Sequence, residues 1–64
     1  MNDLQASHLI DQIGAAYVDP APEATPVFES LEDYALHHMT DVQWQKLHHT
    51  LAALHLEQLH HSGQ

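Results

Sequence analysis

The chain has 64 residues, with nine acids, one Lys, no Arg and eight His, so its formal charge is −8 with His neutral. A nucleic-acid grip needs cations to neutralise phosphates, and Lys46 alone cannot supply them; an anionic membrane surface is disfavoured for the same reason. Without Cys there is no disulfide and no thiolate zinc site.

The length fits one small domain over residues 1–64. Area scaling gives about 4,100 Å² exposed when folded and about 10,400 Å² when extended. The apolar share of that burial is worth roughly 95 kcal/mol. Ordering the chain costs about 96 kcal/mol. The two terms cancel, so self-association or a partner is the expected source of added stability. No apolar run reaches membrane-spanning length. The N-terminus lacks the basic start and apolar core of a secretion signal, and cytoplasmic residence is expected.

The pattern is all-α, with two or three helices over about 3–17, 31–38 and 41–61. In the first, Leu4, Leu9, Ile10, Ile13, Ala16 and Tyr17 recur at helical spacing. Asn2 is the expected N-cap, with Gln5 at the capping-box position. Gly14 could end this helix early, but the apolar face continues to Tyr17, and Pro20 requires a stop by Asp19. All three prolines then fall between Pro20 and Pro26. The spacing predicts an extended, Pro-rich linker over 19–29, with Val27 and Phe28 anchoring the returning chain.

Ser30-Leu31-Glu32-Asp33 resembles a capping box and predicts the start of a short helix. Leu31, Tyr34, Ala35, Leu36 and Met39 would form its apolar face. Thr40-Asp41-Val42-Gln43 is a second capping box, and Met39 and Trp44 stand where a hydrophobic staple would. It opens the longest element, on which the others are expected to pack. Gly63 is its expected terminator.

On a helical wheel the apolar arc of the long helix spans roughly 200°, wider than a one-sided surface helix needs. It should therefore meet both its own chain and something else. Trp44, Leu47, His48, Leu51, Ala52, Leu54, His55 and Leu59 are the candidate oligomer interface. His48 and His55 lie inside the arc and are expected to be buried or interfacial. They are seven residues apart. Two copies crossing antiparallel between Leu51 and Ala52 would place His48 opposite His55 of the other chain, twice. A helical homodimer is the expected assembly.

Eight His invite a metal reading. Two ligands on one helix face need i,i+3 or i,i+4 spacing, and no His pair has it. Asp33–His37, Glu57–His60 and Glu57–His61 do, but solvated ion pairs explain them as well. No metal or cofactor is expected. Free imidazole titrates at about pH 6.5, so a His-based pH or metal sensor is one alternative function. Enzymatic activity is not expected, because there is no Gly-rich phosphate loop and no recognisable nucleophile setting among Ser7, Ser30 and Ser62.

Glu23, Glu29, Glu32, Asp33 and Asp41 border the linker and short helix, with Tyr34 as an exposed aromatic candidate. Spaced carboxylates on a rigid helix can occupy a basic cleft and compete with nucleic acid for it. The expected function is therefore a small acidic regulator or inhibitor, of the kind phages and mobile elements encode, docking on a larger, basic protein. The other alternative is an assembly module that works through the Leu stripe.

Overall fold

A computed structural model describes residues 1–62, with side chains to residue 60. Three helices follow in order: α1 (Asp3–Val18), α2 (Ala24–His38) and α3 (Asp41–Ser62), with no strand among the described residues. The architecture is all-α, as the sequence pattern predicts.

Two helix starts follow from side-chain caps. Asn2 Oδ1 accepts from the Gln5 N–H at 2.8 Å, and Gln5 Oε1 accepts from the Asn2 N–H at 3.2 Å. Thr40 Oγ1 accepts from the Gln43 N–H at 3.2 Å, and Gln43 Oε1 accepts from the Thr40 N–H at 3.0 Å. Each pair satisfies donors that the first helical turn would otherwise leave open. The expected terminator, Gly63, lies outside the described residues.

The start of α2 corrects the sequence expectation. The helix begins at Ala24, seven residues before the predicted Leu31, and Ser30 is an exposed interior residue rather than a cap. Pro26 causes no break because it is the third helical residue. An N–H there has no intrahelical acceptor to lose, and the carbonyl its ring would strike belongs to a residue before the helix. The connection shrinks to residues 19–23 and is a turn rather than an extended linker. Asp19 Oδ1 accepts from the Ala21 N–H at 2.9 Å, and the Ala24 N–H bonds the Ala21 carbonyl at 3.0 Å.

The expectation that everything packs on the long helix is also corrected. α1 is the central element and packs on both α2 and α3, which make little contact with each other. α1 and α2 are antiparallel: the Tyr17 ring meets Phe28, centroids 5.7 Å apart, where one ends and the other begins. α1 and α3 are parallel. Gln43 Nε2 donates to the Met1 carbonyl at 2.8 Å and to Asp3 Oδ1 at 3.1 Å. At the other end, a Cβ on Gly14 would stand 3.2 Å from Leu54 Cδ1. The missing side chain at Gly14 allows this close approach.

The core is small. Leu9, Ile13, Ala35 and Leu47 form its buried centre, and Met1, Ile10, Phe28, Leu31, Met39, Trp44 and Leu51 pack around them. Phe28 anchors α2 as expected, but Val27 is half exposed. Tyr34 and Leu36 were expected on the apolar face of α2, yet both are exposed. They flank Ala35 by about 100° on either side, so when Ala35 faces α1 neither can follow it inward.

Candidate functional site

Two surfaces carry the residues singled out in the sequence, one on α2 and one on α3. On α2, Glu29, Glu32 and Asp33 fall on one flank at positions i, i+3 and i+4, and Leu36 completes the row at i+7. Leu36 is 60% exposed. Glu29 and Asp33 are exposed, and Glu32 is half-buried. The flank is thus a row of three carboxylates that ends on one exposed apolar side chain.

The remaining acid-block residues do not join it. Glu23 is the N-cap of α2 and Asp41 opens α3, so roughly a full helix length of about 22 Å separates them. Tyr34 points about 160° away from Glu32 around the helix. Its ring stacks on His38, centroids 4.2 Å apart, beside a groove that Gln5, His8 and Gln12 of α1 also line. The predicted partner set therefore divides among four places: the Glu29, Glu32 and Asp33 flank, Glu23, Asp41 and Tyr34. Leu36 was missed as a surface residue because its apolar character assigned it to the core. The signal that could have found it is its angle from Ala35.

Few of the carboxylates are engaged. Among the described residues the one ion-pair contact is Asp33 with His37, Oδ1 to Nδ1 at 3.7 Å, and that imidazole also meets the Asp33 carbonyl at 2.8 Å. Asp3 and Asp19 accept hydrogen bonds within the chain. Asp11, Glu23, Glu29, Asp41 and Glu57 are exposed. Among the described residues, no three of His, Asp or Glu are grouped closely enough to hold a metal ion.

On α3, Leu47 is fully buried, and Trp44, Leu51 and Leu54 are half-buried. His48 and His55 are exposed within the chain, not buried in it. The His48 ring tilts against Trp44 at 4.7 Å between centroids. His55 Nδ1 lies 3.1 Å from the Tyr17 hydroxyl. Toward the C-terminal end of α3, Leu56 (59% exposed) and Leu59 (53%) have little of the chain to cover them. Ala52 is exposed between the two His positions. The wide arc thus divides: one edge meets α1 and the core, and the other stays open.

No described helix is long and apolar enough to cross a membrane. Comparisons with protein-family models, curated proteins and solved structures give no match.

Proposed function

We propose that this chain is a small acidic regulator or inhibitor that acts by docking on a basic surface of a larger protein. The observation that carries the reading is the α2 flank: Leu36 exposed beside Glu29, Glu32 and Asp33, with no Lys or Arg on that helix. Leu36 supplies an apolar contact at the end of the row, while the three acids steer a basic partner and reject acidic ones. Such a surface competes with nucleic acid wherever the partner's basic patch is a phosphate site. The proposed setting is the cytoplasm, and the acting species is a homodimer.

The test is capture from a lysate of the native host, with mass spectrometry, using the full chain and a Glu29→Lys/Glu32→Lys/Asp33→Lys variant. A partner held at low salt, released at high salt and absent with the variant supports the reading. The same proteins retained by both chains would count against the flank.

A second reading, an assembly module working through the Leu stripe, is favoured by the open edge of α3. Under it Leu51→Asp should abolish activity together with oligomerisation.

A further inference from the structure

We infer that α3 pairs antiparallel with α3 of a second copy of this chain, about a two-fold axis passing between Leu51 and Ala52. This does not rest on the α2 flank, and three observations on a different helix support it.

The first is area. The folded chain exposes 4696 Å², whereas a monomer of 7.2 kDa is expected to expose about 4,100 Å². Part of that exposed surface is apolar and lies on α3, where Leu56 and Leu59 are 59% and 53% exposed.

The second is charge. A chain at −8 can associate with itself only where its acids are absent. Between Trp44 and Leu59 the one carboxylate is Glu57, about 170° around the helix from the open edge. Asp41 lies beyond Trp44, at the end of the seam. The open edge itself carries Trp44, His48, Leu51, Ala52, His55 and Leu59, none formally charged with His neutral.

The third is register. His48, Ala52, His55 and Leu59 follow the four-three-four spacing of a helix–helix seam. A two-fold axis between Leu51 and Ala52 pairs each edge residue with another edge residue. Trp44 meets the partner's Leu59, His48 meets the partner's His55, and Leu51 meets the partner's Ala52. The exposed Leu59 of each copy would cover the open side of the other copy's Trp44. Ala52 at the crossing point lets the backbones approach closely. The imidazoles can face each other without an unpaired charge, since neutral His donates at one nitrogen and accepts at the other. His55 Nδ1 already meets Tyr17, which leaves Nε2 for the seam.

The chain has no Cys, so engineered thiols report the register directly. Chains carrying His48→Cys and His55→Cys are mixed and oxidised. A covalent dimer that forms in the mixture, and at least about tenfold less in either variant alone, is the expected result, because equivalent positions stand about 10 Å apart along the antiparallel seam and a disulfide needs Cα atoms within about 7 Å. Sedimentation equilibrium of the unaltered chain is expected to show a dimer. Ala52→Glu should raise its dissociation constant at least about a hundredfold with helicity kept, because two unpaired charges enter an apolar seam. Val42→Glu, on the far side of α3, should leave it unchanged. Cross-linking of either variant with itself as readily as in the mixture would overturn the proposal. So would a monomer up to millimolar concentration, or an Ala52→Glu chain that associates as tightly as the unaltered one.

Discussion

The Tyr17 hydroxyl and His55 Nδ1 lie 3.1 Å apart, and this contact joins the last turn of α1 to the C-terminal half of α3. Below it, α3 is bound to α1 through Gln43, Leu47 and Leu54. Above it, Leu56 and Leu59 are exposed. The contact is exposed, so its own worth is modest. Tyr17→Phe is expected to cost under about 1 kcal/mol in urea denaturation. Phe28→Ala removes the ring packed on Tyr17 and on the core, and should cost more, about 1.5–3 kcal/mol.

Gln43 is the polar clasp at the other end. Its side chain is buried, closes the α3 capping box and donates to Met1 and Asp3. Gln43→Ala should destabilise by about 1–3 kcal/mol, since it loses the cap and both interhelical bonds. Gln43→Glu keeps the acceptor for the Thr40 N–H but removes the donors and sets a carboxylate beside Asp3. It is expected to be at least as damaging as Ala at neutral pH. A Glu variant as stable as the unaltered protein would show that the bonds to Met1 and Asp3 contribute little.

Both of these helix starts were legible in the sequence, because a capping box is a local device whose partners are three residues apart. The start of α2 was not. Its signals compete: Pro26 reads as a breaker, and Ser30 with Asp33 mimics a cap, yet a proline in the first turn costs the helix no bond. The inward face of α2 was also hidden. Ala24 and Ala35 mark the fully buried line, with Phe28 and Leu31 packed at its edge, and Tyr34 and Leu36 are left outside. Wheel angles on α3 did show an arc too wide for one partner, but they could not tell which edge α1 would take.

Gly14 sits in the C-terminal half of α1, close against Leu54 of α3. An added Cβ would meet only the mobile end of Leu54, which is half-buried and can shift by a few tenths of an ångström. Gly14→Ala should therefore stabilise by a few tenths of a kcal/mol, and by less than the full helix-propensity gain of about 1 kcal/mol. Gly14→Leu should push α1 and α3 apart and cost about 1–3 kcal/mol. Thermal unfolding of the two variants separates these outcomes by sign.

The smallness of the core makes single truncations severe. Leu47 and Ile13 are its largest fully buried side chains, and removing either to Ala is expected to cost about 2–5 kcal/mol. That is comparable to the whole stability of a domain this size. Leu47→Ala should be largely unfolded by circular dichroism at low concentration. A cooperative transition within about 1 kcal/mol of the unaltered chain would mean that burial in α3 contributes less than its exposure implies.

Docking through the α2 flank is tested most directly by the affinity of the captured partner for that flank as salt is varied. Titration calorimetry at low and high ionic strength, with the unaltered chain and with Glu29→Lys/Glu32→Lys/Asp33→Lys, gives the comparison. Binding is expected to weaken as salt rises, and the variant to bind at least about tenfold more weakly at low salt, since three attractive charge contacts turn repulsive. Equal affinity for both chains, unchanged by salt, would contradict it.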